Sequence, residues 1–162
     1  QNQAFSLPLP PLSGSNMGPK DTLTLYYVTS LRDLASACRR VDYGFEGDTL
    51  RRSDVNATPS SGSDCTTPPP NSQPLAEGML ALDIQYQCSD GSRKDTPDCG
   101  TAACPRSAKV TVAGYSLTSV TNPGPASLTT VTGKTLACPQ GRACYALTQE
   151  VLMPNLKPLP TP

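Results

Sequence analysis

The chain has 162 residues, with 18 Pro, 12 Gly, 7 Cys, no Trp and no His, and its 13 basic and 13 acidic side chains balance to a net charge of zero. That length suits one domain able to bury a core, and the charge balance excludes a global basic field for nucleic acid. Without His the commonest general base and metal ligand is gone, and the Pro and Gly content argues for short strands joined by irregular loops rather than long helices.

Residues 1–20 are a Pro-, Ser- and Gly-rich lead in which LPLPPL (7–12) should run extended over the surface. DTLTLYYVT (21–29) predicts a strand, Leu23, Leu25 and Tyr27 alternating with Thr22, Thr24 and Tyr26. SLRDLASAC (30–38) opens on Ser-x-x-Asp, which can cap one or two helical turns. Residues 38–54 read as a hairpin turning at Glu46-Gly47-Asp48, with Val41, Tyr43, Phe45 and Leu50 on a buried face and Arg40, Asp42, Thr49 and Arg51 on the wet one. Residues 55–74 form a long loop that Cys65 could pin.

From Leu80 the alternation resumes. Leu80, Leu82, Ile84, Tyr86 and Cys88 fall on one side and Ala81, Asp83, Gln85 and Gln87 on the other, the pattern of a strand with one buried and one wet face. Residues 89–106 are a second Cys-bearing loop, and 107–120 a Val- and Thr-rich strand that Gly114 could interrupt. Residues 121–141 are loop with room for a short strand, 142–155 the last strand, and 156–162 a Pro-rich tail. The organisation expected is an extended lead (1–20), one β domain (21–155) and a tail (156–162). No basic start followed by an apolar run opens the chain, and no segment approaches the ~20 apolar residues of a membrane span, so export would require a targeting segment already removed.

Seven cysteines in a loop-rich chain point to an oxidising compartment. The short spacings Cys99–Cys104 and Cys138–Cys144 can each close a small disulfide loop, Cys38 could pair with Cys65, and Cys88 would be the odd one. This is one assignment among roughly a hundred. Zinc is not expected, since there is no His and no tight C-x₂-C pair, and a catalytic cysteine lacks a base. Asp90, Asp95 and Asp98 offer oxygens for calcium, but Arg93 and Lys94 oppose it, and a solvated loop is the reading. Asp42, Glu46 and Asp48 cluster at a convex hairpin tip, a poor place to exclude water. No enzyme, metal or cofactor is therefore expected. Arg39, Arg40, Arg51 and Arg52 lie on adjacent strands, where they either pair with Asp42 and Asp54 or form a phosphate-contacting patch for DNA.

In this order DTLTLYYVT, VDYGFEGDTLRR, PLAEGMLALDIQYQC and YALTQEVLMPN resemble the globular part of PilW-like minor pilins and of the related J-type pseudopilins of type II secretion, over residues 21–54, 75–88 and 142–155. The resemblance implies an N-terminal methylated helix, held in the inner membrane before assembly, whose second half packs under an antiparallel sheet. The face of Leu80, Leu82, Ile84 and Tyr86 would then cover that helix or a partner. Sheet-on-sheet packing would bury the same face. No amphipathic segment precedes residue 20, so the expectation is the globular part alone. The expected fold is mainly β, with antiparallel sheets and long disulfide-pinned loops, α+β if the absent helix is counted. The implied function is a structural subunit that helps initiate or cap a type IV pilus by docking with other minor pilins and the major pilin, in the periplasm and at the cell surface. The alternatives are a DNA-binding minor pilin of natural transformation, a secretion pseudopilin, or a secreted disulfide-stapled adhesion domain.

Overall fold

The computed structural model describes residues 12–28, 38–57, 71–100 and 103–153, and among them the alternating segments form eleven strands and no helix. The expectations for residues 1–11, the capped turns, Cys65 and the tail lie outside the described residues.

Strands β1 (Leu12–Ser15), β2 (Thr22–Val28), β3 (Cys38–Glu46), β4 (Thr49–Ala57) and β5 (Ser72–Ala76) make one antiparallel sheet in that order. Glu46 pairs with Thr49, so Gly47-Asp48 is a two-residue turn, and Gly47 supplies the positive φ such turns need. β4 reaches Ala57 and β5 starts at Ser72, which narrows the loop expected over 55–74.

The second sheet holds β6 (Met79–Cys88), β7 (Arg93–Lys94), β8 (Pro105–Tyr115) and β11 (Cys144–Leu152), ordered β11-β8-β6-β7. β8 runs through Gly114 without a break. A Cβ at Gly114 would stand 3.0 Å from the Gly78 carbonyl oxygen, and Gly78 itself has φ +68°. The glycines let the two backbones approach closely enough for Tyr115 N–H to donate to Gly78 O at 2.7 Å. A small hairpin, β9 (Ser127–Thr129) with β10 (Thr135–Ala137), forms a ladder of its own that is not hydrogen-bonded strand to strand with either sheet.

Sheet-on-sheet packing makes the main core. Met79, Leu82, Ile84, Tyr86 and Ala108 meet Leu12 and Leu50, with Leu23, Leu25, Tyr43 and Phe45 closing in around them. The β6 face expected to cover a helix or partner is thus covered by the chain's own five-stranded sheet. Leu80 leaves that row because the β6–β8 register shifts between Met79 and Ala81, and it packs instead with Ala81, Ala113, Leu136 and Leu128. That second cluster corrects another expectation. The β9–β10 hairpin covers the face taken as wet, so Ala81 and Asp83 are fully buried.

Turn segments of the first sheet close the outer edge of β6. Leu82 N–H donates to Pro19 O at 3.0 Å, Asp21 N–H to Leu82 O at 2.9 Å, and Met79 N–H to Asp48 O at 2.8 Å.

Candidate docking surface

Only Cys144 of β11 is buried; every residue from Tyr145 to Leu152 is exposed. The antiparallel register places Leu82, Val112 and Leu147 in one rank across β6, β8 and β11. Along that rank exposure rises from 8% to 38% to 68%, as the five-stranded sheet stops covering its neighbour. Tyr145 and Val151 share the Leu147 face, one to each side along the strand. The result is a mainly apolar row, Tyr145, Leu147 and Val151 with Gln149 between the last two and Val112 beside it, continuous with the core but open to solvent. Rows of this kind mark interaction surfaces. Sequence patterning revealed the strand but not its bare face, because alternation carries the period and not what lies above it.

The four arginines do not form one patch. By register, Arg39 and Arg52 share the face of Val41 and Tyr43, whereas Arg40 and Arg51 lie on the opposite one. Arg39 and Arg52 both bind the Asp54 carboxylate, the Arg39 Nε at 2.6 Å, and Arg39 foremost holds the Asp54 carboxyl below its usual range. Arg40 Nε reaches Asp42 at 2.9 Å and its guanidinium lies 5.5 Å from the Tyr26 ring centre. Arg51 pairs with Glu46 at 2.9 Å and donates to Ser72 Oγ at 2.8 Å. Three carboxylates thus meet the four guanidinium groups, Arg39 and Arg52 sharing Asp54, which offsets most of the local field a phosphate would feel.

Behind the second sheet lies a buried ionic junction. Lys134, just before β10, directs Nζ onto Asp83 Oδ1 at 2.6 Å, Gly18 O at 2.5 Å and Asn16 Oδ1 at 3.1 Å, with Asp21 Oδ1 at 3.9 Å. Asp83 also accepts from the Thr132 backbone N–H at 3.0 Å and the Thr132 hydroxyl at 2.7 Å. Burial pushes the Asp83 carboxyl up, but Lys134 and the hydroxyls of Thr130 and Thr132 outweigh it and hold the group below the usual range. Asp21 lies the other way. Its burial outweighs the Ile84 N–H bond, at 2.8 Å, and the Lys134 charge, so its carboxyl is raised. The junction ties the first turn, β6 and the β9–β10 hairpin together.

The cysteines correct part of the expected pairing. Cys88 bridges Cys99, with Cα atoms 5.7 Å apart, so Cys88 is not the odd one and Cys99 does not pair with Cys104. β7 turns the chain back along β6, which brings residue 99 beside the end of that strand. Cys104 is buried, and its backbone is bonded to Ser89. Cys138 and Cys144 are bridged across the approach to β11. Asp90 accepts from Ser92 N–H at 2.9 Å and Asp98 from Gly100 N–H at 2.9 Å, so these two shape their own loop, while Asp95 accepts from Asn16 Nδ2 at 3.3 Å and ties it to the turn after β1. Asp48 accepts from Lys20 Nζ at 2.7 Å and from the Tyr115 hydroxyl at 2.9 Å, fixing the hairpin tip to the second sheet.

No protein-family model matches the chain. It is similar to a pilin-like protein, PilA3, of Thermus thermophilus, at 99% identity over 162 residues, which is the whole of this chain and 70% of that protein. With a mainly antiparallel β body and two disulfides among the described residues, and with that degree of likeness, the chain belongs to the pilin-like proteins.

Proposed function

We propose that this chain is the globular body of a minor pilin that helps initiate or cap a type IV pilus by docking with other minor pilins and the major pilin. Its role is structural rather than catalytic. The observation that carries this reading is the open apolar row of β11, Tyr145, Leu147 and Val151 with Val112. A solvent-exposed row continuous with the core is what a sheet leaves when another element is meant to lie on it. The seat for the N-terminal helix that the sequence resemblance implies therefore moves from β6 to β11. The relative is longer than this chain, which spans 70% of it, and so has room for such a helix. The disulfide-bearing loops at Cys88–Cys99 and Cys138–Cys144 would face outward or toward neighbouring subunits, and the natural setting would be the periplasm and pilus surface, with the inner membrane before assembly.

The test is genetic. In the full-length protein, Leu147→Asp together with Tyr145→Ser should leave the globular body folded by circular dichroism and reduce surface pili to the level of the deletion strain. The same variant should fail to co-purify the other minor pilins. Normal piliation in the deletion strain overturns the reading.

A further inference from the structure

Strand edges recruit other strands unless something stops them. Among the described residues the β9–β10 hairpin has strands of only three residues, and the two larger sheets block their edges with care, except one. β7 is two residues long and both are cationic, Arg93 and Lys94. β5 is short and carries Pro74, and β1 has four residues, one of them Gly14. The outer edge of β6 is sealed by Pro19, Asp21 and Asp48. β11 has nine residues, CYALTQEVL, with no Pro, Lys or Arg, and no described strand pairs with its outer edge.

The direction of its backbone groups follows from one bond. Met153 N–H donates to Arg106 O at 2.7 Å, so Met153 belongs to a hydrogen-bonded pair with β8. Such pairs alternate along an antiparallel ladder. Tyr145, Leu147, Gln149 and Val151 therefore turn their backbone groups to β8, while Cys144, Ala146, Thr148, Glu150 and Leu152 turn theirs to the open edge. The middle of those five is Thr148.

We propose that this edge pairs with the same edge of a second copy of the chain, antiparallel, about a two-fold axis at Thr148. In that register Thr148 faces Thr148, and Ala146 faces the partner's Glu150. All five outward residues find partners, giving about ten backbone hydrogen bonds. Glu150 is the strand's only charge, and it meets alanine, so no like charges oppose each other. On the other face Tyr145 falls opposite the partner's Val151, an aromatic with a β-branched residue, and Leu147 opposite the partner's Gln149, so the two rows lie side by side. A two-fold pairing needs a surface complementary to itself, and this strand supplies one. The proposal concerns the edge of β11 and leaves its apolar face available.

The test is the solution mass of the chain by size exclusion with multi-angle light scattering, up to about 1 mM. Wild type should reach the mass of a dimer. Thr148→Lys and Thr148→Glu each bring like charges together on the axis, so each alone should be monomeric. Mixed in equal amounts, the two should restore a heterodimer. Ala146→Pro removes an outward-facing donor without touching the β8 ladder, and should be monomeric with an unchanged far-UV spectrum. Should that variant misfold, the Thr148 pair still decides. A wild-type chain that stays monomeric overturns the proposal and leaves the edge to a strand of a different subunit. A dimer indifferent to Thr148→Lys, or a mixture that stays monomeric, overturns it as well.

Discussion

Replacing Lys134 by Met should cost this chain more than any single surface ion pair. The substitution keeps the volume of the side chain and deletes the ammonium that lies 2.6 Å from Asp83 Oδ1. Asp83 has no exposed surface, so its carboxylate would be left buried with only the Thr130 and Thr132 donors. Removing one partner of a fully buried pair costs about 3–5 kcal/mol. The Lys134 side chain is 25% exposed, and water reaching the gap recovers part of that, which brings the expectation to about 2–3 kcal/mol. For a chain of this size each kcal/mol moves the melting temperature by about 2–4 °C. The assay is urea unfolding at pH 7, run on Lys134→Met, Asp83→Asn and the double variant, with the slope compared throughout. Because the two groups act on one another, the double variant should cost less than the sum of the singles, by about 1–2 kcal/mol. A Lys134→Met chain within about 0.5 kcal/mol of wild type, or strict additivity, refutes the reasoning.

The two carboxylates of the junction should respond to pH in opposite senses. Asp83 is held below its ordinary value of 3.8, so its contribution is present above that pH and is lost as pH falls through its folded value. Asp21 is raised above 3.8, so the folded state gains from its proton, and that gain fades as pH rises through its folded value. Measured by urea midpoints, Asp83→Asn should therefore harm the chain most at pH 7 and least at pH 3, and Asp21→Asn the reverse; parallel curves would contradict this assignment. Gly78→Ala should destabilise by about 3 kcal/mol in thermal unfolding, because its φ is +68° and the new Cβ would stand 2.8 Å from the Tyr115 carbonyl oxygen, whereas a loss under 1 kcal/mol would mean the two backbones are not pressed together. Replacing Cys88 and Cys99 together by Ser should cost about 3 kcal/mol for a loop of 11 residues, read as a lowered melting temperature that reductant no longer changes at that bridge; an unaltered melt would place the cross-link elsewhere.

Much of the body could be read from residue order. The period of two placed Leu82, Ile84 and Tyr86 on one face, and the Gly47 turn set the β3–β4 hairpin. What period alone could not say was which faces acquire a cover. Asp83 reads as solvated in a strand pattern, yet the short SLTTVTGKTLA stretch folds back over it, with Leu128 and Leu136 as its apolar anchors. Those two leucines, one on each side of the Gly133 turn, were the one local sign of a covering hairpin. The same limit hid the surface on β11. Leu82 and Leu147 look alike in sequence, and only the extent of the opposite sheet separates a core residue from an exposed one. Arginine neighbours such as Arg39 and Arg40 are adjacent in sequence, yet adjacent strand residues point to opposite faces. For the cysteines, a tight spacing at 99 and 104 competed with a return of the chain past residue 88 that only tertiary structure decides.

The contacts of the Lys134 ammonium bear on the timing of folding. Its partners begin at Asn16, 118 residues away, and include Asp83, 51 residues away. Pairings this distant close large loops, and proteins rich in them fold slowly. During synthesis from the N-terminus the opening turn and β6 are both made long before the cation that joins them. Until residue 134 emerges, Asp83 remains a carboxylate best served by water, and the face of β6 that will be buried has reason to stay wet. The junction thus delays final docking until shortly before β11 itself is made, which shortens the time for which the β8 edge that β11 will cover is offered by a half-finished sheet.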